Sequence, residues 1–387
     1  MTDRPDFCES MVLLVGSNPL PNYLAVHLTK PKKIYLVHTK ETKGLAENLR
    51  ELFQAQLNPD RVELRPLGDS TKPLAIDKFF NALFQELANG ESEEFQLNYT
   101  GGTKVMAAYA RMCYDCTGQG DCNASYLDDT SGVLRYDNGN ELEFDKMDAQ
   151  LSLDVMLEMH GYCWKPAQPF DKDDPMVADS RNIYAATSKN LDAARQLLDL
   201  LPEQEFKKAR KSPQKNPLPE VVLTKNVYPE DGDTEHDYKC WRHFLRGGWL
   251  ELWVADIVHS LLPATGIHTN VECFIGDTSR RFEIDVAFIH RNRLFVISCT
   301  LGDKLALCKS KLFEAAMRAR QMGGDLARVA LVCLLEGSSN NMANIDALRL
   351  DIAHDWASEK YIKIFGREEL RNWEDGNTSR LKDWLDS

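Results

Sequence analysis

The sequence predicts an α/β protein with two sheet-centred units joined by a proline-punctuated connection. Three observations carry this. Over the first 150 residues, short β-branched runs alternate with segments of helical period, the mark of a parallel sheet with crossover helices. Over the last 150 residues a second series follows in the order αβββαβ. The chain has 387 residues, enough at roughly 150 per domain for two or three separate cores. A hydrophobic fraction of 43% is ordinary for folded protein and excludes wholesale disorder.

In the first unit, Met11 to Val15, Ile34 to His38, Arg61 to Leu67 and Phe95 to Tyr99 read as strands. Thr42 to Leu57 reads as a crossover helix from the spacing of Leu45, Leu49, Leu52 and Phe53, and Ile76, Phe79, Phe80, Leu83 and Leu87 repeat the pattern. Ala124 to Leu127, Val133 to Tyr136 and Glu141 to Phe144 read as shorter strands that close the sheet antiparallel, joined by Asp-, Gly- and Asn-rich turns. From about 161 to 237 prolines 166, 169, 175, 202, 213, 217, 219 and 229 interrupt a polar stretch, read as a connecting region. It holds one expected helix, Asn190 to Leu201, and a basic run from Glu205 to Pro217, ordinarily a solvated loop.

The second unit opens with an expected long helix, Cys240 to Leu262. Three strands follow, His268 to Ile275, Arg281 to His290 and Arg293 to Cys299, with a tight connection at His290-Arg291-Asn292-Arg293. A helix from Leu305 to Met322, a buried strand from Val329 to Leu335, a helix around Met342 to Ser358 and a strand from Tyr361 to Phe365 complete the series.

The 46 Lys and Arg fall short of the 59 Asp and Glu, for a net charge of −13, so contact with nucleic acid requires a local basic surface. One exists between Arg291 and Arg320, where seven Lys or Arg meet only Asp303 and Glu314. No basic-then-apolar leader opens the sequence and no apolar stretch approaches the roughly 20 residues that span a bilayer. A soluble, cytoplasmic protein without membrane contact is expected. Ten Cys, mostly inside apolar or helical segments, suit reduced thiols. Cys113-x-x-Cys116 with His160-x-x-Cys163 has zinc-ligand spacing, but Cys113 falls on a helical pattern with Ala107, Ala110 and Met112, where cysteine serves as a small buried hydrophobe.

Ligands of open α/β sheets bind beyond the carboxyl ends of the strands, so the loops after the early strands are the places to look. Strand one runs into Gly16, Ser17 and Asn18, and strand four into Thr100, Gly101, Gly102, Thr103 and Lys104 before a helix. Glycines admit an anion to backbone amides, a helix N-terminus adds positive potential, and Thr103 and Lys104 can bond phosphate oxygens. The ordinary alternative is a turn and helix cap. Neither the Gly-x-Gly-x-x-Gly fingerprint nor the Walker loop is present, which disfavours a dehydrogenase or a P-loop ATPase. The segments "VGSNPLPNYLA" and "LNYTGGTKVMAAYA" make residues 8 to 160 resemble a Rossmann-like CARF domain. That resemblance implies a homodimer that binds a cyclic oligoadenylate, with cyclic tetra-adenylate the expected ring, as a messenger of type III CRISPR defence. Gly16, Ser17, Asn18, Thr100, Gly101, Gly102, Thr103 and Lys104 would line its pocket.

Alternation along Arg281 to His290 puts Glu283 and Asp285 on one face, where two carboxylates can hold a divalent metal, and Glu251 on the preceding helix is a third candidate, or else part of a solvated face. The αβββαβ order with an acid on its second strand resembles the restriction-endonuclease-like PD-(D/E)XK fold over residues 240 to 370. Its pairing with a CARF domain resembles the CARF nucleases. The resemblance implies Mg²⁺ or Mn²⁺ at Glu251, Glu283 and Asp285, and hydrolysis of DNA or RNA phosphodiesters. The family's third-strand Glu-x-Lys is replaced here by Ser298 and Thr300, which supply neither an anionic ligand nor a cation. On the next helix Lys311, Glu314, Arg318 and Gln321 form one polar stripe, with Lys309 just before it. Lys309 or Lys311 is the candidate replacement for the lysine and Glu314 for the acid, beside Asp285. The alternative is a solvated stripe on a degenerate, binding-only domain, in which case the protein is a non-catalytic sensor.

Overall fold

The computed structural model describes residues 9–90, 94–128, 131–144, 147, 151–164, 169–188, 206, 221, 223–224, 232–275, 281–302, 304–336, 345–356 and 361–386. The expected helix at Asn190 to Leu201 and, Phe206 apart, the basic run at Glu205 to Pro217 lie outside them.

The first sheet holds β1 (Ser10–Leu14), β2 (Lys33–His38), β3 (Arg61–Pro66), β4 (Gln96–Asn98), β5 (Ala124–Asp128), β6 (Val133–Tyr136) and β7 (Glu141–Glu143) in the order β3-β2-β1-β4-β5-β6-β7. The first five strands pair in parallel, and only β6 and β7 turn antiparallel. The antiparallel closure expected of all three short strands thus begins one strand later. The reason is α4 (Lys104–Asp115), a crossover that lets β5 enter beside β4 in the same sense. Helices α1 (Leu20–Thr29), α2 (Lys43–Gln56) and α3 (Pro73–Ala88) make the other crossovers. Strand β1, its five residues all buried, lies at the middle of the parallel run β3-β2-β1-β4-β5. Cys113 of α4 is buried with its thiol 3.5 Å from Asp77 Oδ1, and burial pushes that thiol up to about 12.

The second sheet runs β13-β12-β11-β10-β9-β8, with β8 (Tyr162–Trp164), β9 (Ile267–Ile275), β10 (Arg281–His290), β11 (Arg293–Thr300), β12 (Arg328–Cys333) and β13 (Ile362–Phe365). β8 to β11 pair antiparallel and β11 to β13 in parallel. The β10–β11 turn has Arg291 and Asn292 at φ 49° and 57°, the two-residue left-handed geometry that matches strand twist. Asn292 also donates to Phe144 O (2.8 Å) and accepts from Leu151 N (2.9 Å), tying this hairpin to the end of the first unit.

The stretch read as a connection supplies more than a connection. Besides β8 it forms α5 (Leu153–Met159) at its threshold and α6 (Pro175–Thr187), whose proline occupies the first turn, where its missing N–H costs nothing. Tyr184 of α6 stacks on Trp253 at 3.7 Å between centroids, and Arg181 pairs with Asp256 at 2.6 Å. Both partners belong to α8 (Trp249–Leu261). The expected single helix Cys240 to Leu262 is two helices, α7 (Glu235–His243) and α8, joined by a π-helical turn at Phe244–Gly248. After the sheet's first strands come α9 (Leu305–Gly323), α10 (Ile345–Trp356), α11 (Arg367–Glu374) and α12 (Ser379–Leu385). Helix α5 packs against α2 on one side and β10 and α9 on the other, and one apolar cluster runs through it from Leu13 to Leu294. Among the described residues no helix is long and apolar enough to cross a membrane.

Candidate functional site

Strands β1 and β4 are neighbours although β2 and β3 lie between them in sequence, so the strand order reverses there, the kind of switch point outside which open α/β sheets bind ligands. The loops leaving β1 and β4 hold the glycines picked out in the sequence, and they fit because the glycines have no side chains. A Cβ on Gly101 would overlap the Leu14 carbonyl oxygen and lie 3.2 Å from Gly16 N; one on Gly16 would lie 3.0 Å from Gly102 N. Gly102 also takes φ 74°, which favours glycine. The polar residues hold the loops in shape. Thr103 caps α4, accepting from Met106 N at 3.2 Å; Thr100 Oγ1 accepts from Leu127 N at 2.7 Å; Asn18 Oδ1 accepts from Leu20 N at 3.0 Å. Thr103 keeps its hydroxyl proton to donate, and Thr103, Lys104 and Ser17 are exposed. All eight sequence-predicted residues of this group therefore come together at one sheet end.

In the second sheet a cavity of about 390 Å³ is lined by Glu251, Glu283, Asp285, Ser298, Thr300, Lys311 and Glu314. Asp285 is buried on β10, its Oδ2 accepting from Ser298 Oγ at 3.0 Å and Cys299 N at 2.6 Å. Glu283, two residues before it in β10 and lining the same cavity, opposes Glu272 of β9 in register. Glu251, half-buried, reaches in from the first turn of α8. Burial raises its carboxyl well above the usual carboxylate range, as do the charges of Asp285 and Glu283, while Lys311 pulls the other way. Glu283 is raised by burial too, against a downward pull from His243.

The two candidate lysines part company. Lys311 lines the cavity, whereas Lys309 bonds Asp351 Oδ2 of α10 at 2.7 Å and lies over the Phe313 ring, outside the cavity wall. Residues two apart on a helix point roughly 200° apart, so only one can face the cavity. Glu314, one turn after Lys311, lines it. Sequence reasoning missed His243 and Arg246, set at the cavity mouth by the π-helical turn, and gave Arg318 no role beyond the stripe. The Gly247-Gly248 pair inside an apolar helix was the available signal.

Oxygen donors of this kind suit a hard divalent cation, and the mutual repulsion that raises Glu251 is what such a cation would relieve. Among the described residues no three His, Cys, Asp or Glu side chains close on a common point. Mg²⁺ needs fewer, since it keeps several waters and binds through one or two carboxylates. Asp285 and Glu251, with Glu283 beside them, carry oxygen donors of the kind such an ion takes.

A glycine-lined switch point in one sheet and a carboxylate-lined cavity in the next define a protein that couples a nucleotide-type binding fold to a nuclease-type fold. The residues match accordingly: 10–119 match the Card1 CARF domain and 238–376 the endonuclease domain of Card1-like proteins, so the chain belongs to the CARF proteins with a C-terminal Card1-like endonuclease domain. Solved structures share the fold. Protein VC1899 from Vibrio cholerae superposes with a TM-score of 0.69 at 17% identity, covering 97% of this chain and 98% of that one. Can2 from Sulfobacillus thermosulfidooxidans, solved in complex with cyclic tetra-adenylate, gives 0.65 at 18% identity over 99% and 100%. A type III CRISPR defence DNA nuclease activated by cyclic oligoadenylate gives 0.51 at 17% identity, over 89% of this chain and 52% of that one. No curated protein matches the sequence.

Proposed function

We propose that this protein is a nuclease of type III CRISPR defence, switched on by a cyclic oligoadenylate and dependent on Mg²⁺ or Mn²⁺, that hydrolyses phosphodiester bonds of DNA or RNA. The observation that carries the reading is the return of the lost functional groups to one cavity: Lys311 and Glu314, from α9, join Glu251, Glu283 and Asp285 although β11 offers only Ser298 and Thr300. The two domain matches and the cyclic tetra-adenylate complex of Can2 support the messenger.

A bound divalent ion would supply Lewis-acid polarisation of a phosphoryl oxygen and a more acidic water. The protein's own residues do the rest. Asp285 is held in place by the Ser298 hydroxyl and the Cys299 amide, both of which donate to its Oδ2. The ammonium of Lys311 faces the charge that develops on the reacting phosphate, the task of the strand lysine in the wider fold. Serine at 298 thus has a duty of its own, orienting the acid across the strand pair.

The messenger would bind at the β1–β4 switch point, with ring phosphates on the amides of Gly16, Gly101 and Gly102 and on Thr103 and Lys104. The same loop touches the second unit. Asn18 lies against Gly324, which closes α9, so a Cβ at Gly324 would overlap the Asn18 amide. Movement of the messenger loop thereby bears on the helix that carries Lys311. We also propose a homodimer. Val105 and Met112, two turns apart on α4, are 43% and 50% exposed, an apolar strip beside the proposed messenger site that suits a second copy.

The test compares Lys311→Ala with Lys309→Ala in a cleavage assay with messenger and Mn²⁺. The proposal requires loss of cutting in the first and retention in the second. Ser298 and Thr300 favour one other reading, a sensor without catalysis, in which neither variant changes anything because the wild type cuts nothing.

A further inference from the structure

Resting on the nuclease reading, we infer that Arg318 is the phosphate clamp of the second-domain cavity, a positioning residue that grips a backbone phosphate of the nucleic-acid strand. Arg318 lines the cavity from α9, two turns after Lys311. It stands in an acid-rich wall without an acid partner. Among the described residues no carboxylate stands within ion-pair distance of it, whereas Arg111, Arg135, Arg181, Arg349 and Arg367 are each paired. Even Glu314, one turn away on the same helix, leaves it unpaired.

What holds Arg318 is weak or apolar. Its guanidinium carbon sits 4.5 Å from the Phe282 ring centroid, and its one hydrogen bond among the described residues, from Nη1 to Gln321 Oε1, is long at 3.4 Å. Its Nε is buried with no acceptor among the described residues. A planar, permanently charged group with five donors has thus been fixed in orientation by stacking and left with most donors unspent. The acceptor that matches this fork is an anionic, two-oxygen group. A phosphate of the bound strand supplies it, and it needs a cation here, because Glu251, Glu283, Asp285 and Glu314 would otherwise repel it. Phe282 lies next to Glu283 in β10, so the ring that aims the guanidinium and the carboxylate beside the reacting centre move as one rigid strand.

The experiment measures binding without cutting. The full-length protein with cyclic tetra-adenylate and excess EDTA is titrated into a short fluorescein-labelled single strand, DNA and RNA in parallel, and anisotropy is followed across a salt series. Arg318→Ala is expected to weaken binding about tenfold and to flatten the log affinity–log salt slope by about 0.7, one phosphate's share for a single strand. Arg318→Lys keeps the slope and recovers part of the affinity, because it retains the charge and loses the fork. Arg318→Gln keeps a side chain over Phe282 without the charge and repeats the alanine result if the role is electrostatic. Loss of packing alone would lower the melting temperature of the alanine variant and leave the slope unchanged. Wild-type affinity and slope in Arg318→Ala and Arg318→Gln, beside a wild type that binds, overturn the clamp and spare the nuclease reading. A wild type that binds neither strand overturns the clamp alone, since the nuclease reading is tested separately by cleavage with metal and plasmid.

Discussion

Gly101→Ala is the sharpest perturbation of the proposed messenger site, because what the new methyl group meets is backbone. The added Cβ would overlap the Leu14 carbonyl oxygen, with the carbonyl carbon at 3.0 Å and Gly16 N at 3.2 Å. Rotation of a side chain relieves none of these contacts, so the loops after β1 and β4 must part by roughly 1 Å to restore ordinary separation, at a cost of about 1–3 kcal/mol. The same displacement would pull the amides of Gly16 and Gly102 off the ring phosphate they are proposed to bind. Each hydrogen bond to a charged group contributes about 1.5–3 kcal/mol, so losing one weakens binding about ten- to a hundredfold. Isothermal titration with cyclic tetra-adenylate reads this directly, and Gly44→Ala, whose Cβ meets nothing within 4 Å, is the control expected to bind normally. A folded Gly101→Ala protein that binds the ring as tightly as wild type would refute the placement of the pocket.

Asp285→Asn keeps the shape of the side chain and removes the charge that the Ser298 hydroxyl and Cys299 amide stabilise, so cutting should fall about a hundredfold or more while circular dichroism stays unchanged; retained activity would remove Asp285 from the site. Burial raises the Glu251 carboxyl in the folded chain, so the proton it holds stabilises the protein at low pH, and that contribution is lost as pH rises from the ordinary carboxylate range through the raised value. In metal-free buffer the melting temperature of Glu251→Gln should therefore climb relative to wild type as pH rises, with Mn²⁺ shrinking the gap; a gap independent of pH contradicts this. Val105→Glu with Met112→Glu puts charges on the exposed strip of α4 and should convert the proposed dimer to monomer in sedimentation velocity, with the proposed messenger-site residues untouched.

Much of this architecture was legible because it is written in periodicity. Strands that bury both faces, such as Met11 to Val15, show as unbroken apolar runs, and the Arg291-Asn292 turn shows in its residue types. The breaks were hidden where periodicity continues through them: Trp241, Phe244, Leu245 and Trp249 keep helical spacing across the π-helical turn, so the helix read as one and the placement of His243 and Arg246 was lost. Helix α6 and β8 were masked by prolines that mark a first turn and a strand's flank rather than a linker. At the site, alternation along β10 was enough to pair Glu283 with Asp285. The choice between Lys309 and Lys311 was beyond sequence, because it depends on which side of α9 meets the sheet and which meets Asp351.

The most direct test of the central claim is cleavage of single-stranded DNA, single-stranded RNA and supercoiled plasmid with Mn²⁺ or Mg²⁺, with and without cyclic tetra-adenylate. The account predicts cutting of at least one substrate that appears only with messenger and metal together and disappears in Lys311→Ala. Tight messenger binding with no cutting of any of them would contradict it and leave a sensor built on a nuclease fold.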